Sequence, residues 1–256
     1  MREPPIMHEP ILEYFGIDLH LITAQQEQDF EKASGIVMDI PAFLLTENGR
    51  SKIFVRDSDT WERKRLSIFH ECGHFHIPWH RPHAYICECN EFNFINRRDI
   101  EKEAYKYASH IIFPQGVFVE DVRALPISLN SIELLATRYM ASFEATGIRY
   151  IESCTAKCAL LYVVANFWPD TSFYTLHVRY CVKSNRFYGF WKPGTQIDRD
   201  QLIDNCLMNG VRFTGEIPAS LLGSSKSHRY LAEIKPHGPN QICMMLQIPD
   251  NQTRLI

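Results

Sequence analysis

The chain has 256 residues, 45% of them hydrophobic and 22% charged, with a formal net charge of -3. That balance excludes a disordered, collagen-like or coiled-coil chain. With 27 Lys and Arg against 30 Asp and Glu, it also lacks the basic excess of a general nucleic-acid binder.

The first sixteen residues mix prolines, glycine and charges and contain no apolar core of a secretory signal. Ile11 to Phe15 reads as a short helix, Leu19 to Thr23 as an apolar segment and Gln25 to Ala33 as a polar helix. Ile36 to Leu45 and Ser51 to Arg56 read as strands joined at Glu47-Asn48-Gly49, a turn signal. From Thr60 to His76 the pattern is helical, and Pro78 stops it. An irregular stretch, Pro82 to Arg98, carries Cys87 and Cys89. A second helix is expected over Asp99 to Phe113, where Ile100, Ala104, Tyr107, Ala108 and Ile111 recur near helical spacing. Two more helices are expected near Ser131 to Met140 and Ser142 to Cys158.

Beyond about residue 160 the texture changes. Tyr174, Leu176, Val178, Tyr180 and Val182 alternate with polar residues as in a half-buried strand, and Lys183-Ser184-Asn185 can turn into Arg186 to Trp191. Asp198 to Met208 reads as a short helix, and Tyr230 to Ile234 with Ile242 to Ile248 as a hairpin. The expected fold class is α+β, divided into residues 1–160, helical with a small sheet, and residues 161–256, rich in strands. The longest nearly apolar run, Cys158 to Trp168, is far short of the ~20 residues of a membrane helix. A soluble, cytoplasmic protein is expected, whose eight cysteines serve as thiols or metal ligands.

His70-Glu71-Cys72-Gly73-His74 is an H-E-x-x-H sequence. Residues four apart share a helix face, so both imidazoles can bind one Zn²⁺, while Glu71 lies about 100° round the helix. There it can take a proton from a water at the metal as general base. With 11 His and 18 Glu, chance would supply roughly 0.03 such matches per chain.

A catalytic zinc needs a third protein ligand. His80 follows His74 by six residues, as in metzincins, but Ile77 and Pro78 stand where that motif turns on a glycine. Glu101 and Glu103 lie roughly 200° apart on the second helix, so only one can face the metal. Glu101 shares the stripe of Ala104 and Ala108, whose small side chains allow close helix approach, whereas Glu103 points to solvent or to a residue behind the ligands.

These residues resemble a family. Arg63-Lys64-Arg65-Leu66-Ser67-Ile68-Phe69 before the H-E-x-x-H, then Glu101-Lys102-Glu103-Ala104 through Ile111-Ile112-Phe113-Pro114, is similar to the ImmA/IrrE metallo-endopeptidases. Leu134-Leu135-Ala136, Met140-Ala141-Ser142 and Ile148-Arg149-Tyr150 resemble that family's next helices, so the likeness covers about residues 5–155. Tyr105, His110 and Phe113 depart from its pattern. The resemblance implies a zincin-like peptidase domain over 1–160 with Zn²⁺ on His70, His74 and Glu101, and Glu71 as catalytic base. It implies a substrate that is a helix-turn-helix transcriptional repressor, in stress response or mobile-element and phage regulation. Residues 161–256 would then regulate or dock the substrate.

Weaker signals stand beside this. Cys87, Cys89, Cys154 and Cys158 together have the makings of a structural zinc site, although their spacings suit four separate thiols better. Cys72 reads as packing. His76, His80 and His83 crowd the same region, where one could orient substrate or stabilise an oxyanion, with surface histidines the better reading of most. Tyr105 and Tyr107 are further oxyanion candidates, with packing the better reading of Tyr107. Leu134 to Tyr150 has helix-turn-helix-like spacing, yet Arg138 and Arg149 are too few to neutralise several phosphates, so no direct nucleic-acid contact is expected. The other function class compatible with the sequence is a zinc-stabilised sensor or binding protein without peptidase turnover.

Overall fold

The computed structural model describes residues 5–34, 41–83, 94–169, 173–223 and 228–248. The chain is α+β and divides into two compact units: residues 1–118 with 136–142, and residues 119–135 with 143–256.

In the first unit, α1 (Glu9–Phe15) ends at Gly16, whose φ of 64° is the left-handed conformation that glycine adopts without penalty. β1 (Ile17–Ile22) and α2 (Ala24–Ser34) follow. β2 (Ala42–Glu47) and β3 (Arg50–Arg56) form a hairpin in which Asn48 and Gly49 both take positive φ, as a two-residue turn requires. β1 pairs parallel to β3, giving the order β1-β3-β2. Ser51, Ile53 and Val55 of β3 point inward while their neighbours do not, the period-two pattern visible in the sequence.

α3 (Trp61–His76) starts at Thr60, whose hydroxyl accepts from the Arg63 amide, and stops before Pro78. It lays Ile68 and Cys72 on the sheet, against Leu12, Ile17, Ala42, Leu44, Ile53 and Val55. A 3-10 turn (Pro78–His83) leads on, and the next described element is α4 (Phe94–Ile112), which begins five residues earlier than Asp99 suggested.

α5 (Gln115–Ala124), α6 (Leu129–Tyr139) and α7 (Phe143–Ser153) come next. The second unit is built on an antiparallel sheet of β4 (Cys158–Phe167), β5 (Tyr174–Lys183), β6 (Gln196–Ile197), β7 (Phe213–Pro218), β8 (Arg229–Pro236) and β9 (Gln241–Gln247), in the order β6-β5-β4-β9-β8-β7. α8 (Gln201–Asn209) is capped by the Asp200 carboxylate on the Leu202 amide. Ala159, Leu161, Val163, Val178, Trp191, Ile203 and Met244 are part of its core.

The second unit takes in residues 119–135 and 143–153 ahead of its first strand, β4. The Glu233 carboxylate on β8 accepts from the Leu129 amide at the start of α6, and Gln247 donates to the Ile127 carbonyl. A β-carbon on Gly147 would stand 2.6 Å from Leu160 and 2.9 Å from the Tyr162 hydroxyl, so α7 lies directly on β4. Residues 186–191 do not form a second strand after the turn at Lys183-Ser184-Asn185. Phe187 and Trp191 are buried there, and the Trp191 indole donates to the Leu222 carbonyl, so the segment covers the core as a loop. No helix among the described residues is long and apolar enough to cross a membrane.

Candidate metal centre

The site is made where α3 and α4 come close together. A β-carbon on Gly73 would lie 3.2 Å from the Ala104 Cα and 3.3 Å from its carbonyl oxygen, so the contact has room for no side chain on α3. Ala104 and Ala108 are fully buried on the facing stripe. This close approach sets Glu101, one turn before Ala104, opposite His70 and His74.

His70 Nε2 lies 3.0 Å from His74 Nε2 and 3.0 Å from Glu101 Oε2, and His74 Nε2 lies 3.6 Å from Glu101 Oε1. Among the described residues these three are the group whose ligand atoms converge, all within 4.8 Å. Ligands at zinc bond lengths in a tetrahedron are separated by about 3.3 Å, and the observed spacings bracket that value. Two imidazole nitrogens turned toward each other and a carboxylate are a donor set that suits a divalent cation. The Glu101 carboxyl is held far below the ordinary carboxylate range by its hydrogen bonds from His70 and His74, so it presents a charge to the site.

Glu71 is 8% exposed. Burial raises its pKa, the nearby Glu101 carboxylate adds to this, and the two imidazoles and a hydrogen bond from the Leu44 backbone oppose it. The peptide N–H of a β2 residue thus orients the carboxylate, a contact no sequence motif contained. Arg65, at 1% exposure, was equally hidden in the motif. Its guanidinium donates to the Ile6, Tyr139 and Met140 carbonyls, while burial brings its pKa down to about 10.

The structure does not bring His80 to the donor triangle. Its Nδ1 lies 3.1 Å from His74 Nδ1, on the side away from Nε2, and its Nε2 lies 2.9 Å from Glu103 Oε2. His80 therefore stands behind His74 instead of beside it, on the 3-10 turn that follows α3. Glu103, half-exposed, holds His80 and also accepts from the Trp79 indole at 2.7 Å.

Tyr105 is exposed, with its ring 4.2 Å from that of His70. Tyr107 packs with the first unit's core, and the His76 ring meets those of Phe15 and Tyr107 at tilted angles. Cys72 is fully buried, its thiol pushed up to about 12 by burial and the Glu71 carboxylate. Cys154 and Cys158 share a thiol hydrogen bond. Cys87 and Cys89 lie outside the described residues, as does the side chain of His83, so the four-cysteine site rests on one described pair.

A search of curated proteins found no match. The fold is similar to that of a solved structure described as a Mycobacterium tuberculosis transcriptional regulator, with a TM-score of 0.53 and 11% identity, covering 97% of this chain and 72% of that one. Residues 31–150 match the IrrE N-terminal-like domain of the peptidase M78 family, a metallopeptidase family, and so cover α3, α4 and every residue of the donor triangle. Over residues 31–150 the chain is thus similar to the IrrE N-terminal-like domain of the peptidase M78 family.

Proposed function

We propose that this protein is a zinc-dependent endopeptidase that cuts a helix-turn-helix transcriptional repressor in the cytoplasm. The observation that carries the reading is the buried Glu71 carboxylate, on the same helix as His70 and His74, beside the donor set that these two form with Glu101 of α4.

His70, His74 and Glu101 would hold the metal, leaving a fourth position open. Bound zinc supplies a Lewis acid that polarises a peptide carbonyl and acidifies water at the open position. Glu71, oriented by the Leu44 N–H, would accept a proton from the attacking water and pass it to the leaving amine. β2 pairs only with β3 among the described residues, and its outer edge offers a ladder on which an extended substrate segment adds as a strand. Residues 161–256 are then the regulatory or substrate-docking part.

The repressor as substrate rests on the family resemblance. The test is incubation with a repressor encoded beside this gene, with and without chelator, in the parent and in Glu71→Gln. Chelator-sensitive cleavage lost in Glu71→Gln supports the reading; equal cleavage by both proteins contradicts it. The likeness to a transcriptional regulator favours one second reading, a zinc-stabilised sensor without turnover. In that case Glu71→Gln leaves the cellular effect intact.

A further inference from the structure

The two imidazoles of the donor triangle are supported unequally. His70 Nδ1 is buried and has no hydrogen-bond partner among the described residues. His74 Nδ1, in contrast, faces His80 Nδ1 at 3.1 Å, His80 Nε2 faces Glu103 Oε2 at 2.9 Å, and the Trp79 indole donates to that same oxygen at 2.7 Å. Both Trp79 and His80 come from the 3-10 turn that follows α3, and the Ile77 carbonyl accepts from the His80 amide at 3.1 Å. His80 is 1% exposed, so its two ring nitrogens have to find partners inside the protein.

One arrangement of protons satisfies this chain when His74 Nε2 offers its lone pair to a metal. The His74 proton then sits on Nδ1 and is donated to His80 Nδ1, which must be an acceptor. The His80 proton consequently sits on Nε2 and is donated to the Glu103 carboxylate. Each bond fixes the next, and the carboxylate at the far end needs no proton of its own. Reversing the chain would place a proton on Glu103 and remove the lone pair from His74 Nε2.

We infer that His80 and Glu103 are positioning residues for the metal, acting in series through His74 by fixing its tautomer and its ring orientation. Resting on the assignment of His70, His74 and Glu101 as ligands, this relay gives Glu103 a task distinct from that of Glu101 two residues away. It also gives His80 a task other than that of a third ligand. Ligand-orienting partners of this kind change metal affinity by about 10–100-fold when removed.

The test is zinc affinity at fixed pH, measured on metal-free protein by competition with a chromophoric chelator, with the melting midpoint of each metal-free variant as folding control. Glu103→Ala leaves the buried His80 Nε2–H without its acceptor, so it should lower that midpoint modestly, with the metal-free protein still folded at the assay temperature, and weaken zinc binding about 10-fold. His80→Ala should weaken it at least as much. His80→Gln, whose amide can accept from His74 and donate to Glu103, should recover part of the loss. Because Glu103 acts through His80, His80→Ala with Glu103→Ala should bind zinc no more weakly than His80→Ala alone. Parent-like affinity in Glu103→Ala and His80→Ala, with zinc lost in His74→Ala, overturns the relay alone. Additive losses in the double variant overturn the series arrangement. A parent protein that binds no zinc overturns the ligand assignment and the relay with it.

Discussion

Gly73 and Ala104 meet so closely that a β-carbon on Gly73 would stand 3.2 Å from the Ala104 Cα and 3.2 Å from Cδ1 of Tyr107. A glycine inside a helix costs about 1 kcal/mol relative to alanine, so Gly73→Ala stabilises an isolated α3. Here the opposing atoms include the backbone of a packed helix, which cannot give way as a surface side chain would. Overpacking of this kind costs about 1–3 kcal/mol. Gly73→Ala is therefore expected to lower the melting temperature and to loosen zinc by moving Glu101 away from His70 and His74. A melting temperature above the parent's, with zinc affinity unchanged, would show that the contact does not set the site.

Arg65 holds both an N-terminal carbonyl, that of Ile6, and the carbonyls of Tyr139 and Met140 at the end of α6. Met140 adopts φ 46°, a left-handed conformation uncommon for a residue with a side chain, and its carbonyl is one of those held. Arg65→Met removes the donors that Arg65 supplies to these three carbonyls, at about 1–3 kcal/mol for each one, so a loss of at least about 3 kcal/mol is expected in urea unfolding. Arg65→Lys should recover only part, because a single ammonium cannot span both clusters. Full recovery by lysine would place the effect in charge instead of in the planar geometry.

Cys154 and Cys158 make a prediction independent of any metal. The hydrogen bond from Cys158 holds the Cys154 thiol well below the ordinary thiol range, and the same bond with burial raises Cys158. A depressed pKa means that the thiolate of Cys154 persists as pH falls below the usual thiol value. Its alkylation rate against pH should accordingly show a midpoint below the ~8.5 of a free cysteine. Cys158→Ala should move that midpoint up. An unshifted midpoint in the parent would remove the thiol pair.

Glu71→Gln separates holding the metal from using it. Glu71 is not among the donor atoms that converge, so the variant should bind zinc as the parent does. Cleavage of a protein substrate should fall by a factor of about 10² or more, the contribution typical of a positioned general base. Loss of zinc in this variant would mean that Glu71 is a ligand.

The helices and the donor triangle were legible because their signals are local. Thr60, Pro78 and the four-residue spacing of His70 and His74 describe α3 without reference to the rest of the chain. Alternation likewise gave β5, where Tyr174, Leu176 and Val178 are buried and Thr175, His177 and Arg179 are not, although Tyr180 and Val182 do not continue the buried face. β4 was missed as a strand: Cys158 to Val163 are buried in succession, and a short continuous apolar run has no period to read. The contacts that complete the site were not legible either. Leu44 to Glu71, Arg65 to Tyr139 and His80 to His74 depend on how a turn or a neighbouring element folds back, which spacing alone does not encode. His80 shows the difference best. Its distance along the chain suggested a ligand, while its geometry puts it behind His74.

The central claim is that one divalent metal is held by His70, His74 and Glu101. Its most direct test is the zinc content per chain of the purified parent beside His70→Ala and Glu101→Ala, measured by elemental analysis on protein of matched folding. One zinc per chain in the parent, lost in His70→Ala and at least ten-fold weaker in Glu101→Ala, is the result expected. Zinc retained at the parent level in both variants would contradict it.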